Sequence, residues 1–274
     1  MHRSIAPLVC LGTLACLGSE SGSPQEAKQS EAAVDRKLAA VDAVEKSTGG
    51  LEAIKKRGTI RFLVRRSEAN FLPRAGMPWL SDIENAESFA ESLEVEPIFV
   101  LVDSYDELIP ALVEGRGDVV AAQLTVTKAR KKKIQFARST LGVEEIVVGK
   151  KGAKDLPQKP EDLEGREVVV RSSSSYAGSL AKLAKKGVEL KIAEADEHLD
   201  TAAIVDLVVA SEGQQLTVVD SHLLQAIESY NDQVVRLFPL AEKREISWGV
   251  RKNNNDLKAA LDRFMIKRAM TERR

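Results

Sequence analysis

Cysteine is nearly absent. Cys10 and Cys16 are the only two, and both lie at the start of the chain, so the rest has no disulfide framework, no thiol nucleophile and no cysteine metal site. Aromatic residues make up 4% of the sequence, too few for a long base-stacking or sugar-stacking platform. Neither charge dominates: the formal net charge is −1, which argues against a general nucleic-acid binder. His198 and His222 stand alone, without metal-ligand spacing. The one long apolar run, Ile5 to Leu17, is too short to span a bilayer as a stable helix.

What is present suffices for a substantial core in one or two domains: 274 residues, 43% hydrophobic and 30% charged. His2 and Arg3 before the apolar run read as an export signal over residues 1–18. Thr13-Leu-Ala-Cys16 resembles a bacterial lipoprotein signal, in which Cys16 carries the lipid. The other reading makes Cys16 a small hydrophobe inside a signal removed further on. Residues 19–50, rich in Ser, Glu, Gln, Ala and Lys and ending in Gly49-Gly50, read as a flexible tether.

From Leu51 onward, strand and helix patterns alternate. Helices are expected at 51–57 with Gly58 as stop, at 82–93, from a Ser104/Glu107 capping box to Gly115, from Lys128, and at 176–186, 201–210, 221–229 and 257–270. Pro110 predicts a kink or a broken start in the third of these. Strands are expected at 59–64, 96–102, 119–124, 146–148, 167–171, 190–192, 216–219, 234–238 and 246–250. This alternation means an α/β fold with mainly parallel sheets.

Two segments repeat one pattern: Glu114 to Arg130 and Glu164 to Tyr176. In each, a β-branched run ends in hydroxyl residues where a helix begins. A helix start presents free N–H groups and partial positive charge, so it favours an anion. Thr125, Thr127, Ser174 and Ser175 add hydroxyls, and Arg130 adds a planar cation suited to a carboxylate. Together they make two candidate half-sites for one small anionic ligand. Plainer readings stand beside these. Arg130 belongs to the run Lys128 to Lys133, ordinarily a solvated face, and its lysine neighbours are given no ligand role. Ser172 to Ser175 also suits a plain turn. Arg65 and Arg171, at strand ends, point into a cleft or pair with surface acids. Phe71 and Trp79 cover an apolar ligand part or pack in the core.

The segments Leu51-Glu-Ala-Ile-Lys-Lys-Arg-Gly-Thr-Ile-Arg61, Asp106 to Asp118, Leu124-Thr-Val-Thr-Lys-Ala-Arg130, Phe136-Ala, Leu163-Glu-Gly-Arg-Glu-Val-Val-Val and Val218-Val-Asp220 come in a recognisable order. In them the chain resembles the bacterial extracellular solute-binding proteins of family 3, over roughly Leu51 to Met270, and within it the binding domain at the front of the membrane-bound lytic transglycosylases F. The resemblance implies a two-lobed periplasmic binding protein type II fold, each lobe a mainly parallel sheet flanked by helices. Lobe 1 would hold 51–142 plus 246–270, and lobe 2 would hold 147–240. It also implies that Arg130 grips a ligand carboxylate with Thr125 and Ser174 or Ser175, and that Asp220 accepts an ammonium group. The competing role for Asp220 is to cap the helix starting at Ser221. Three places depart from the family pattern: Leu80-Ser-Asp82 replaces Gly-Phe-Asp, Thr140-Leu141 replaces Pro-Tyr, and Gln123 stands where many members have Gly.

The implied function is an extracytoplasmic solute-binding protein for a small zwitterionic or anionic ligand: an amino acid, small peptide or cell-wall fragment. It would lie in the periplasm or envelope, held to a membrane only by a lipid on Cys16, with an ABC permease or peptidoglycan as partner and no cofactor. The alternative is a non-catalytic regulatory domain or truncated relative of a membrane-bound lytic transglycosylase. Such enzymes need a catalytic Glu in a helical domain, which the sequence does not supply, and no acid and base pair for a dehydratase is evident. A ligand-free interaction module is the third possibility.

Overall fold

The computed structural model describes residues 37–66, 80–139, 141–241 and 243–271. The signal expected at 1–18, Cys16, the first part of the tether, Phe71 and Trp79 lie outside them. Among the described residues, no helix is long and apolar enough to cross a membrane.

The first lobe is built on a sheet in the order β1–β3–β2–β4–β12–β5, with β6 also paired to β12. Its strands are β1 (Leu38–Ala40), β2 (Thr59–Arg65), β3 (Glu96–Val102), β4 (Val119–Thr125), β5 (Ile134–Phe136), β6 (Leu141–Val143) and β12 (Arg244–Arg251). β1 to β4 pair in parallel, and β12 runs antiparallel to β4, β5 and β6. Four helices come with them: α1 (Leu51–Arg57), α2 (Leu80–Ser92), α3 (Leu108–Val113) and α4 (Lys128–Lys133). The second lobe has the order β11–β7–β10–β8–β9. Its strands are β7 (Glu145–Lys150), β8 (Glu167–Val170), β9 (Lys191–Glu194), β10 (Gln215–Asp220) and β11 (Val234–Pro239). Its helices are α5 (Ser175–Ala184), α6 (Thr201–Ala210) and α7 (Ser221–Glu228); α8 (Asn255–Thr271) returns to the first lobe.

Both faces of β2 are covered, which is why its sequence is continuously apolar apart from its two arginines and Thr59. Phe62 packs with Phe99, Trp248 and Leu261 on one face, and Leu63 with Leu108, Val120 and Leu124 on the other. Each such side chain, fully buried, stabilises by roughly 1.5–3 kcal/mol. A Cβ on Gly117 would meet Leu63 at 2.4 Å, so only glycine lets the chain enter β4 this close to β2. Gly58 closes α1 at φ +73°, a conformation that costs glycine little.

The two lobes are joined by a ribbon. β6 runs on into β7, and the first residues of β12 pair with β6, Arg244 opposite Val143 and Ile246 opposite Leu141.

The expected tether ends earlier than residue 50. Leu38–Ala40 adds β1 to the open edge of β3. Arg61 then donates to the carbonyls of Glu45 and Ser47 at 2.7 and 3.0 Å, and Arg251 donates to that of Gly49 at 3.2 Å. All this follows from a buried ionic hub in which Arg57, Arg61 and Arg251 surround the wholly buried Asp118. The spare donors of the hub arginines take up carbonyls of an otherwise polar segment. The capping box at Ser104 is likewise incomplete: Glu107 reaches the Ser104 N–H at 3.4 Å, and the helix starts only at Leu108, with Pro110 in its first turn where its missing N–H does no harm.

Candidate functional site

The candidate residues cluster because parallel strands of both lobes deliver their C-terminal ends to one crevice, the usual ligand position in open α/β sheets. β2 ends in Arg65, β4 in Thr125, β8 leads into Arg171 and β10 ends in Asp220.

At the basic pole, the guanidinium carbons of Arg65, Arg130 and Arg171 lie 5.9, 5.4 and 5.0 Å from the centroid of the Tyr105 ring. All three arginines are buried. Arg130 donates to the Thr125 carbonyl at 2.9 Å and, across the lobes, to that of Ser173 at 3.1 Å. Arg65 reaches the carbonyls of Glu197, His198 and Leu199, and Arg171 shares the last at 2.6 Å. Burial, followed by the like charge of Arg171, lowers the Arg65 pKa to about 10. Among the described residues, neither Arg130 nor Arg171 forms an ion pair, and Nε of Arg171 is buried without a partner.

The hydroxyls divide by role. Ser175 donates across the cleft to Thr125 at 3.2 Å, both side chains being buried. Thr127 caps α4 by accepting the Arg130 N–H at 3.2 Å. Ser174 caps α5, accepting from Ala177, and donates to the Arg171 carbonyl. Glu197 binds the Ser173 N–H at 2.9 Å and the hydroxyls of Ser172 and Ser173. Beside Arg130 a cavity of about 820 Å³ opens between α3 and α4 of one lobe and α5 of the other. Ile109 and Val126 line it with Lys128, Lys133, Lys182 and Arg244, so two lysines of the run that sequence reasoning gave no role face this cavity.

At the acidic pole, Asp220 makes no side-chain cap to α7. Its Oδ1 is buried and has no hydrogen-bond partner among the described residues. Burial, and then the neighbouring Glu145, push its carboxyl up to about 7. Its own N–H donates to the Tyr176 hydroxyl at 3.1 Å. Glu145, which sequence reasoning missed, is wholly buried, accepts from Ser179 at 2.6 Å and lies 3.3 Å from Arg244 Nε.

A third group bridges the lobes. Gln123 donates to Asp82, and its carbonyl oxygen faces Nε2 of His222 at 2.9 Å, so that nitrogen carries the proton. Trp248 donates to the other oxygen of Asp82 at 2.9 Å. Gln123 has φ +53°, the left-handed conformation. That explains why glycine suits this position, and the strain of roughly 1–3 kcal/mol is held by the two bonds of the side-chain amide, one through its nitrogen and one through its oxygen. Burial lowers the His222 pKa to about 4. Among the described residues, no group of three or more His, Cys, Asp or Glu could hold a metal ion.

The family model for the bacterial extracellular solute-binding proteins, family 3, matches residues 81–272. The chain is 34% identical over 229 residues to a membrane-bound lytic murein transglycosylase F of Pseudomonas savastanoi, covering 80% of this chain and 45% of that protein. For the Pseudomonas fluorescens protein of the same name the identity is 31% over 222 residues, 79% and 44%. The chain thus spans under half the length of these relatives. Among solved structures it is similar to holo ArgBP from T. maritima, with TM-score 0.66 and 24% identity over 79% of this chain and 92% of that one. It is also similar to an amino acid ABC transporter substrate-binding protein from Streptococcus pneumoniae bound to L-arginine, with TM-score 0.66 and 16% identity over 81% and 93%.

Proposed function

The chain belongs to the bacterial extracellular solute-binding proteins of family 3, and we propose that it is an envelope receptor that closes its two lobes on a small zwitterionic ligand. The observation that carries this reading is one crevice with opposite poles: Arg130 among three buried arginines at one end, and at the other the buried Oδ1 of Asp220, which has no hydrogen-bond partner among the described residues. A carboxylate of the ligand pairs with Arg130, whose planar fork suits it, and an ammonium group donates to Asp220. Thr125 and Ser175, already bonded to each other across the lobes, offer hydroxyls beside the carboxylate. Amino acids, small peptides and cell-wall fragments all carry these groups. The neighbour bound to L-arginine supports an amino-acid-like ligand in general, not arginine in particular. Closure follows from the ligand's greater affinity for the closed form. The protein performs no chemistry of its own in this reading; its partner is an ABC permease or a cell-wall sensor.

A screen of amino acids, dipeptides and muropeptides by thermal shift and calorimetry tests this. At least one stabilises the folded chain, and that effect disappears in Arg130→Ala; a folded sample that responds to none overturns the proposal.

The transglycosylase relatives favour a second reading: the chain is the non-catalytic regulatory part of a cell-wall enzyme. Purified chain then binds muropeptides and releases none from peptidoglycan, and measurable release would make it an enzyme instead.

A further inference from the structure

Glu145 on β7 and Asp220 on β10 are register partners on neighbouring antiparallel strands. Residues directly opposite on such a pair share one face of the sheet, with Cβ atoms about 4.5–5.5 Å apart. Both side chains are buried. Dry and beside a second carboxylate, Asp220 does not ionise readily, since burial and the neighbouring negative charge both disfavour its charged form.

The groups that face them come from four directions. From α5, Tyr176 places its hydroxyl at the Asp220 N–H and Ser179 donates to Glu145 Oε2. From β12, Arg244 sets Nε 3.3 Å from Glu145 Oε1 and Nη2 2.5 Å from Ser179 Oγ. Arg244, and then Arg130 from α4, act on Asp220 through space. Arg171 lies beyond Tyr176 and acts on that phenol. Among the described residues a single guanidinium, that of Arg244, is in contact with the pair, and it touches Glu145. No cation is in contact with Asp220 among the described residues, and its Oδ1 has no hydrogen-bond partner there, as is true of Glu145 Oε1.

We propose that Glu145 and Asp220 form one shared site that holds a proton when the cleft is empty and exchanges it for a primary ammonium group when the cleft fills. The Asp220 O–H bond breaks, its proton leaves to solvent, and the ammonium group keeps its own protons and donates one hydrogen bond to Oδ1. Charge in the site is the same before and after. Glu145 makes this exchange possible by raising the proton affinity of its neighbour, so it selects a cationic group as a positioning residue.

Carbon-13 NMR of the full chain labelled at its Asp and Glu carboxyl groups tests this. In the empty protein one carboxyl titrates with a midpoint near pH ~7 instead of the ordinary ~4. Glu145→Gln moves the midpoint down by about one unit or more, and Asp220→Asn, an isosteric change, removes the titration if Glu145→Gln fails to fold. Methylammonium chloride lowers the midpoint relative to sodium chloride at the same ionic strength. A spectrum with no carboxyl titrating above about pH 6, a midpoint indifferent to Glu145→Gln, or one indifferent to methylammonium overturns the proposal.

The exchange itself needs no natural ligand, but its use in ligand capture rests on the receptor function proposed above. For any amine found in the ligand screen, calorimetry in phosphate and in Tris near pH ~7 gives heats that differ by the release of about half a proton per ligand bound. Equal heats in the two buffers overturn the exchange and leave the receptor standing. A methylammonium response with no ligand in the screen removes the receptor and leaves the exchange.

Discussion

Arg57, Arg61 and Arg251 converge on the carboxylate of Asp118, whereas Arg65, Arg130 and Arg171 surround the ring of Tyr105 and hydrogen-bond to main-chain carbonyls. All of these arginines but Arg57, which is exposed, are buried, and a residue of β2, Arg61 or Arg65, belongs to each triplet. The difference lies in what sits at the centre. A buried carboxylate compensates the guanidinium charge permanently, and the Asp118 carboxyl is held below the ordinary range: burial acts to raise it, but the bonds and charge of Arg61 and the charge of Arg57 outweigh that. An aromatic ring and carbonyl dipoles compensate only in part. One triplet therefore closes the fold, and in the other Arg130 and Arg171, which form no ion pair among the described residues, remain ready for an anion.

The sharpest way to break this comparison is to remove the anion at the centre of the first triplet. Asp118→Ala leaves three arginines facing one another, and urea denaturation is expected to show a loss of about 3–5 kcal/mol. Next comes Arg130→Ala, which leaves the hub intact. Calorimetry with a ligand from the screen should show affinity weakened by about 2–5 kcal/mol, with little change in the urea midpoint. If Arg130→Ala unfolds the protein as Asp118→Ala does, the two triplets have the same role and the contrast fails.

Acid separates the hub from the lobe bridge, because Asp118 of the first triplet and His222 of the Gln123 bridge lose their contributions in different windows as pH falls. The folded pKa of His222 lies below its ordinary 6.5, at about 4, so the unfolded state binds more protons between these values. Its contribution is intact above pH 6.5 and is lost on acidification toward about 4. The contribution of Asp118 persists lower and is lost only as pH falls through its own depressed value. Asp220, whose carboxyl is raised to about 7, gains a proton on folding and acts in the opposite sense over part of this window. The readout is therefore a difference: the stability gap between the parent chain and His222→Asn in thermal denaturation should narrow as pH falls from 6.5 toward about 4 and stay constant as Asp118 is lost below it. The smallest effect belongs to Tyr105→Leu, which removes the ring shared by the three guanidinium groups and costs about 0.5–2 kcal/mol, read as a lowered melting temperature with the chain still folded.

Much of the fold is legible in the sequence because periodicity and punctuation agree. The helix expected at 201–210 and the strand expected at 96–102 match Thr201–Ala210 and Glu96–Val102, and Gly58 stops α1 where its freedom at positive φ is needed. The three-residue strands β1, β5 and β6 are too short to show a period, and they form because a neighbouring edge offers hydrogen bonds. Thr125, Arg130 and Ser175 can be read from two strand-to-helix junctions, since that position puts them at the crevice. Glu145, Tyr105 and the Gln123–His222 bridge give no local signal. Gln123 and His222 are 99 positions apart, and Glu145 looks like any acid before a short strand.

The sequence by itself determined the order of strands and helices, the hydroxyl-rich helix starts and the choice of Arg130 and Asp220 as charged candidates, because these depend on neighbours a few residues away. Only the tertiary structure decided which charges are compensated. Arg61 meets a carboxylate and Arg65, four residues on, meets carbonyls; Asp220 turns away from its helix cap to stand opposite Glu145. Burial removes the water that would otherwise make these charges equivalent, and burial is a property of the packed chain and not of any segment of it.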